Sequence, residues 1–349
     1  MANTPATPRA HGYGAVGEWE RNAACLSAWP THEYAWGTFL LEAQREFAGF
    51  CQALLADPDN EPLQLLVADA AAEGQARAAL ATFGDRVRYL RVPYGDVWLR
   101  DTAPIFVRSA AGLGCVRFGS NGWGGKYPYP GDAELGERLA QVLGLACFAF
   151  DAVLEGGAVE LDGEGTCLTT ESCLLNPNRG AQPERAACER LLGDALAVDK
   201  VIWLRQGLAG DHTDGHIDNL ARFVAPGVVM HMRPEPGDPN RAALEAIERE
   251  LARATDARGR KLTLLAVPSP GAVCDAAGEP MAASYMNFYL ANRSLIVPAF
   301  GSASDERAAA AIARAFPGRQ VVLRRARAIL EGGGGTFHCM TRQRPEAGR

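Results

Sequence analysis

Residues 330–339 read LEGGGGTFHC, and the first four letters of this stretch also occur at residues 154–157, which read LEGG. Four consecutive glycines lose much conformational entropy on folding, so a folded chain needs a reason to keep them. One reason is that a backbone without Cβ atoms lets another group approach closely. Because the run leads to Cys339, we interpret it as a loop that exposes a reactive thiol, with Gly333 and Gly334 against the ligand.

The composition is that of a globular protein with an ample core, since 48% of the 349 residues are apolar and 22% are charged. A net charge of −6 argues against nucleic acid or an acidic membrane as a partner and suits a cationic small molecule. No apolar stretch approaches the roughly 20 residues of a membrane span. Nine cysteines without CxxC spacing are expected to be thiols, neither disulfides nor zinc ligands.

The first fourteen residues are small and polar and lack the hydrophobic core of an export signal. We therefore predict a disordered tail over residues 1–14 and a cytoplasmic protein. No composition break or Pro/Ser-rich linker divides the rest of the chain, which predicts a single domain over residues 15–349.

Helical periodicity, with apolar residues at spacings of three and four, alternates along the chain with short β-like runs. Hairpin-like strand pairs around Gly163, Gly227 and Arg293 do not fit a simple parallel sheet, although the class is α/β. The predicted helices are 42–55, 70–81, 134–143, 184–196, 241–254 and 306–316. The predicted strands are 63–67, 87–92, 105–107, 115–118, 167–170, 201–204, 228–232, 262–267, 295–297 and 321–323.

Polar loops recur at fairly even intervals between these elements. Their central residues are separated by 54, 61, 71 and 52 positions and are Asp101, Glu155, His216, Asn287 and Cys339. This spacing predicts five units of related length, each of which delivers one polar loop.

The densest polar segment is 210–219, which reads GDHTDGHIDN. It allows a metal site with His212, His216 and a carboxylate as ligands. It also allows acid–base chemistry, with His216 as the proton shuttle and Asp218 as an anionic contact. Gly215 argues against a helix that would bring both histidines to one face. The plain alternative is a loop whose aspartates accept backbone N–H groups.

A second unusual run contains Trp98 and Asp101, which could form a slot with one aromatic and one anionic wall for a planar cation. The alternative is a surface Arg100–Asp101 pair beside a core tryptophan. Residues 119–126 are glycine-rich but lack phosphate-loop spacing, and no GxSxG elbow occurs. Nucleotide binding and serine hydrolysis are therefore not supported.

Cys339 is the candidate nucleophile because a cysteine with a distant histidine and carboxylates is typical of thiol catalysis. Most cysteines are small buried apolar residues, which is the alternative for each of the nine. His338 is adjacent in sequence, but neighbouring residues of an extended strand point in opposite directions. His216 is therefore the better candidate for the catalytic partner.

Together these segments resemble the agmatine deiminase family of the guanidino-group-modifying superfamily. The matching motifs follow the family's order across residues 19–345. They are Trp29-Pro30, 98–102 (WLRDT), 121–127 (NGWGGKY), 154–157 (LEGG), 169–179 (TTESCLLNPNR), 213–219 (TDGHIDN), 284–289 (SYMNFY) and His338-Cys339.

The resemblance implies a five-bladed α/β propeller of ββαβ modules with the active site in its central channel. It implies hydrolysis of agmatine to N-carbamoylputrescine and ammonia through a covalent thiouronium-like adduct, with no metal or organic cofactor. Relatives commonly form dimers or higher oligomers. By motif position the nucleophile is Cys339, the general acid and base is His216, and the guanidinium-binding carboxylates are Asp101, Glu155 and Asp218. Trp98 would line the aliphatic chain of the substrate.

Two departures from the family pattern bear on the substrate. His212 stands where an acidic residue is usual, and Thr336-Phe337 stands where Asn-Ile is common; we expect both to lie near the substrate and to affect its choice. The alternatives are a deiminase or dihydrolase acting on arginine, peptidylarginine or N-acylarginine, and an amidinotransferase. Outside this superfamily they are a metal-dependent hydrolase and a non-catalytic guanidinium-binding protein.

Overall fold

Five copies of one ββαβ unit follow each other in the computed structural model, which describes residues 7–180 and 184–348. In each module the first two strands are antiparallel, and the third is parallel to the second. The modules form five separate sheets. Their strands are Thr341–Pro345, Asn22–Ala28 and Leu63–Val67 in module 1; Ile105–Ser109, Gly112–Gly119 and Ala146–Val153 in module 2; Glu160–Leu161, Thr166–Thr170 and Lys200–Leu204 in module 3; Ala221–Ala225, Val228–Arg233 and Thr263–Pro268 in module 4; and Tyr289–Leu290, Ser294–Ala299 and Gln320–Arg325 in module 5.

One amphipathic helix in each module connects the second strand to the third, as a crossover between parallel strands requires. These helices bury their apolar stripes against the sheets. They span Leu40–Ala56, Leu135–Leu143, Arg185–Leu196, Arg241–Arg253 and Asp305–Ala315. Module 1 has a further helix, Ala70–Ala79, and a fourth strand, Val87–Arg91.

Module 1 closes the ring of modules, because its first strand lies at the other end of the chain. Thr341–Pro345 pairs antiparallel with Asn22–Ala28, so the last module is joined to the first. The fold is the five-bladed α/β propeller that the sequence predicts.

The predicted helices and strands are confirmed, with ends that differ by at most three residues, as are the three hairpins. The sequence did not indicate the short helix Arg327–Gly333 or several strands, among them Asn22–Ala28, Ala146–Val153 and Thr341–Pro345. The helix takes in the first two glycines of the 330–339 stretch, so this part is not the open loop that we expected.

The predicted disordered tail needs correction. Residues 1–6 lie outside the described residues, but residues 7–14 have a defined structure. Arg9–His11 forms a 3-10 turn, and the Arg9 guanidinium donates to Val198 O at 3.2 Å. The strand Gly14–Ala15 pairs with Ile105–Ser109 of module 2. The single domain over residues 15–349 stays a prediction. Within residues 7–180 and 184–348 no helix is long and apolar enough to cross a membrane.

The segments between modules meet at the centre of the ring. Four of them form short helical turns, each of which contacts the next: Leu99–Thr102, Gly156–Ala158, Ile217–Asn219 and Tyr285–Asn287. The fifth segment, 336–340, bonds to the turns on both sides. His338 N donates to Asn287 O at 3.1 Å, and Arg100 N donates to Cys339 O at 3.0 Å. The five predicted polar loops therefore converge.

Candidate active site

The glycine run is packed against tryptophans. A Cβ atom on Gly333 would overlap the indole of Trp98, and one on Gly335 would lie 2.8 Å from the same ring. Gly334 has a φ of +82°, which glycine adopts without strain, and a Cβ there would lie 2.7 Å from the ring of His212. These glycines line a pocket that is also lined by Trp98, Asp101, His212 and Cys339. The absence of Cβ atoms lets Trp98 and His212 come close to the glycine backbone.

Cys339 lies at the bottom of this pocket, where only 4% of its surface is exposed. Asn287 Nδ2 donates to Cys339 Sγ at 3.0 Å, and Asp218 Oδ2 lies 3.6 Å from the same sulfur. Burial and the negative charges of Asp218 and Asp101 raise the pKa of the Cys339 thiol well above its ordinary value of 9.0. In the empty site the sulfur is therefore a neutral thiol.

Asn287 positions Cys339, the candidate nucleophile, a role that we did not assign to Asn287 from the sequence. Besides its bond to the sulfur, its Oδ1 accepts the backbone N–H of Cys339 at 3.2 Å and the hydroxyl of Thr336 at 2.8 Å. The available signal was its place in the regular series of polar loops.

The expectation that Thr336 and Phe337 lie near the substrate is wrong. The Thr336 hydroxyl is buried and engaged with Asn287, while Phe337 is fully buried and stacks on Phe50 with ring centres 5.0 Å apart. Neither residue lines the pocket. Their positions support the nucleophile loop from behind.

Asp101 is held by two N–H donors. Gly157 N donates to its Oδ1 and the Trp123 indole to its Oδ2, both at 2.9 Å. Trp123 has a φ of 53°, an uncommon conformation for a residue with a side chain, and such strain is often found at functional sites. We did not assign Trp123 a role from the sequence, although it lies in the glycine-rich 119–126 run. The alternative of an Arg100–Asp101 surface pair is wrong, since Arg100 is buried and pairs with Glu18 at 2.6 Å.

Three of the predicted groups meet around Gly157. A Cβ atom added there would lie 2.6 Å from His216 Nδ1, 2.8 Å from Asp101 Oδ1 and 3.2 Å from Asp218 Oδ2. The second glycine of the LEGG copy at 154–157 therefore makes room for the side chains that we expect to act on the substrate.

His216 is completely buried, and neither ring nitrogen has a hydrogen-bond partner among the described residues. Its Nδ1 lies 3.7 Å from Asp101 Oδ1, and its Nε2 lies 3.8 Å from Glu155 Oε2. Burial alone would lower the pKa of His216, but the charge of Asp101 and contacts with Cys173 and Glu155 raise this pKa well above 6.5. The imidazole is therefore protonated at neutral pH and able to donate a proton.

Glu155 already forms an ion pair within the protein, which we did not expect of a carboxylate that binds the guanidinium of a substrate. Arg179 Nε donates to both of its oxygens, at 2.9 and 3.1 Å, and both side chains are buried. Glu155 does not line the pocket, which is also true of Asp218 and His216, so its ion pair with Arg179 is what distinguishes it. The position of Glu155 beside His216 favours a role in orienting the imidazole. The sequence did not indicate the pairing with Arg179, because the two residues are 24 positions apart.

Asp218 keeps one oxygen without a partner. His338 Nδ1 lies 2.7 Å from its Oδ2, whereas its buried Oδ1 has no hydrogen-bond partner among the described residues. The Nε2 atom of His338 lies 3.1 Å from Glu18. Both ring nitrogens of His338 therefore contact carboxylates, so this residue orients Asp218 and does not bond to Cys339. This arrangement agrees with our choice of His216 over His338 as the acid and base.

The pocket above Cys339 has aromatic walls formed by Trp98, Trp123, Tyr127 and Tyr129. His212 lies at this wall, with its Nδ1 3.2 Å from the hydroxyl of Tyr127. Five of the six residues that we expected to bind the substrate are in the lining: Trp98, Asp101, His212, Gly333 and Gly334. Asp218 is not in the lining, although its Oδ2 lies 3.6 Å from Cys339 Sγ.

The metal site proposed for segment 210–219 is not formed as predicted, because His212 and His216 do not share it. Within residues 7–180 and 184–348, the one group with ligand atoms within 4.8 Å of one another is Glu155, Cys173 and His216. Both oxygens of Glu155 already accept bonds from the Arg179 cation, which opposes binding of a second cation there.

The propeller of five ββαβ modules, with a cysteine, a histidine and two carboxylates at its centre, is the arrangement that the resemblance implies for enzymes that modify guanidino groups. The chain belongs to the Porphyromonas-type peptidyl-arginine deiminase family, whose sequence profile matches residues 15–345.

Relatives with established names cover nearly the whole chain. The agmatine deiminase of Pseudomonas aeruginosa (strain LESB58) is 36% identical over 99% of both chains. The solved agmatine deiminase of Enterococcus faecalis superposes with a TM-score of 0.91 at 29% identity and covers 98% of both chains. A cysteine-to-serine variant of the Campylobacter jejuni agmatine deiminase, solved with substrate bound, gives a TM-score of 0.86 at 25% identity over 97% of both chains.

Proposed function

We propose that this protein hydrolyses the guanidinium group of agmatine to N-carbamoylputrescine and ammonia. The observation that carries the proposal is the position of Cys339 Sγ, 3.6 Å from Asp218, a buried carboxylate whose Oδ1 has no partner in the part of the chain that the structure describes. A free buried carboxylate oxygen beside a thiol suits a planar cation whose carbon the sulfur attacks. The relatives named agmatine deiminase support the same reaction.

Binding of the guanidinium rests on Asp101 and Asp218. A guanidinium is planar, always protonated and rich in N–H donors, so carboxylates on two sides fix its orientation. Asp218 Oδ1 is free to accept, and each Asp101 oxygen retains a lone pair beside the bond it already accepts. The cation also relieves the repulsion between these buried carboxylates.

The chemical steps use Cys339 and His216. The bound cation favours ionisation of the Cys339 thiol, whose proton passes to solvent, and the thiolate attacks the guanidinium carbon and forms a C–S bond. The protonated imidazole gives its proton to the departing nitrogen, so the C–N bond breaks and ammonia leaves and takes up a proton from solvent. Water then attacks the same carbon while His216 takes its proton. As the C–S bond breaks, the hydroxyl proton on the carbon passes to the leaving thiolate, so the neutral thiol returns and the carbon keeps the oxygen as a urea.

The lining of the pocket favours agmatine over arginine. It contains two carboxylates, Asp96 and Asp101, and no lysine or arginine among the described residues. The α-carboxylate of arginine would therefore meet no fixed positive charge in this lining. The primary ammonium of agmatine, in contrast, would lie near carboxylates of opposite charge. Since the family is named after peptidyl-arginine, that substrate class is the competitor to test.

The test is ammonia release from agmatine, L-arginine and N-acetyl-arginine amide at equal concentrations, with a Cys339→Ser preparation as the blank. We expect kcat/KM to be highest for agmatine by at least about 100-fold. If kcat/KM is highest for N-acetyl-arginine amide, the substrate is a peptidylarginine and not agmatine. If none of the three compounds releases ammonia, the proposal is refuted.

The thiol of Cys339 gives a prediction for the pH dependence of alkylation. Because its pKa is raised well above 9.0, the thiolate fraction in the empty enzyme should still grow about tenfold per pH unit between pH 7 and 9. We expect the rate of iodoacetamide modification at Cys339, followed by peptide mass spectrometry, to rise throughout that range.

Cys147 is the internal control for this experiment. It is exposed, and a hydrogen bond from Cys115 lowers its pKa to about 7, so its modification rate should level off near pH 8. A plateau for Cys339 below pH 8 would contradict the account, in which the bound cation promotes thiolate formation.

We also propose that the enzyme acts in the cytoplasm, assembles as a homodimer or higher homo-oligomer and has no nucleic-acid or membrane partner. The net charge of −6 supports the last two exclusions. Size-exclusion chromatography with light scattering tests the assembly.

A further inference from the structure

Asp96 is a carboxylate of the pocket lining that the chemical steps do not use. It is 4% exposed, and all its hydrogen bonds come from neutral N–H groups. Its Oδ1 accepts the Trp36 indole at 3.0 Å and Val97 N at 2.8 Å, and its Oδ2 accepts the Trp98 indole at 2.7 Å. Oδ2 therefore retains room for a further donor.

No cation of the described chain compensates this carboxylate, since none of its ion pairs within 4.0 Å involves Asp96. A second carboxyl group, that of Asp132, accepts Asp96 N at 3.2 Å, and burial raises its pKa to about 7. Burial raises the pKa of Asp96 to about 6, so at pH 7 to 8 it is an ionised carboxylate in a poorly hydrated place. Such a group binds a cation favourably because it has none of its own.

Aromatic faces surround the same space. Trp98, Trp123, Tyr127 and Tyr129 line the pocket together with Asp96. Aromatic rings attract an ammonium group through their negative faces, most strongly where water is excluded. A carboxylate among such rings is chemically selective for a primary or substituted ammonium.

We propose that Asp96 and these aromatic walls form a subsite for the primary ammonium of the substrate, separate from the carboxylates that hold the guanidinium. The inference rests on the proposed function, because it assigns the second charged end of the same molecule. It makes the enzyme selective for substrates with two cationic ends, and it disfavours alkylguanidines and arginine.

The competing role for Asp96 is a structural one, in which it only holds the indoles of Trp36 and Trp98, whose rings stack 5.7 Å apart. The two roles differ in one respect. A structural role affects every guanidine that enters the pocket, whereas an ammonium subsite affects only substrates that carry the ammonium.

The experiment compares agmatine with n-butylguanidine, which has the same carbon chain without the amine. In Asp96→Asn, we expect kcat/KM for agmatine to fall by about 10- to 100-fold, the effect of losing a hydrogen bond to a charged partner. The loss for n-butylguanidine should be at least about tenfold smaller. Trp36→Phe, which removes one indole donor and keeps the carboxylate, is the matched control and should affect both substrates equally.

Equal losses with both substrates in Asp96→Asn would overturn the inference. If that variant does not fold, the wild type decides: agmatine should exceed n-butylguanidine in kcat/KM by at least about tenfold, and equal values would refute the subsite. Equal turnover of both compounds would leave the deiminase function intact. An absence of ammonia from both would instead refute the proposed function.

Discussion

Replacing Cys339 with serine is expected to reduce ammonia release from agmatine by at least about 10⁴-fold while the fold is retained. A hydroxyl at this position is a much poorer nucleophile, and no other described thiol lines the pocket. Serine can still accept the Asn287 amide that now bonds to the sulfur at 3.0 Å, so the loop should keep its position.

Steady-state kinetics measures this loss, and circular dichroism with thermal unfolding checks the fold. Cys147→Ser is the matched control, because it makes the same chemical change at an exposed position and should leave kcat/KM unchanged. A Cys339→Ser enzyme with more than about a tenth of the wild-type rate would show that another group attacks the substrate.

Adding one methyl group at Gly157 should nearly abolish activity as well. The Cβ of alanine would lie 2.6 Å from His216 Nδ1 and 2.8 Å from Asp101 Oδ1, closer than such atoms can approach. Gly157 does not have a positive φ, so the effect comes from these contacts and not from the backbone. Displacing catalytic groups by about 1 Å costs on the order of 100-fold in rate, so we expect at least that loss in kcat/KM.

Gly74→Ala is the control for this substitution. Gly74 lies in the helix Ala70–Ala79 with no atom within 4 Å of the added Cβ. Alanine there should raise the free energy of unfolding by about 0.5–1 kcal/mol and leave kinetics unchanged. Near-normal activity of Gly157→Ala would mean that Asp101, His216 and Asp218 need not be held at their present distances.

The sequence allowed the helices to be predicted because their signal is local. Leu135–Leu143 and Arg241–Arg253 each carry a continuous apolar stripe that is visible without any partner. The strands Asn22–Ala28 and Thr341–Pro345 read NAACLSA and TRQRP and show no alternating pattern. They form because they pair with each other across the whole length of the chain, which no local pattern records.

The candidate site divides in a similar way. Motif order located Cys339, Asp101, His216 and Asp218, and the structure brings these four together around one glycine and one sulfur. Motif order did not indicate that Arg179 pairs with Glu155. Nor did it indicate that Trp123 donates to Asp101 or that Asn287 donates to Cys339. Those contacts join residues 24, 22 and 52 positions apart, so only the folded chain reveals them; the catalytic roles themselves stay predictions.

Ring closure has a consequence for synthesis of the protein. Cys339 stands two residues before Thr341–Pro345, the strand that joins the last module to the first. On the ribosome, modules 2 to 5 and most of module 1 are made before the candidate nucleophile, and the neighbouring carboxylates meet its thiol only when that strand docks. A nascent or prematurely terminated chain therefore lacks the assembled site, and we expect activity to arise in the same event that completes the ring.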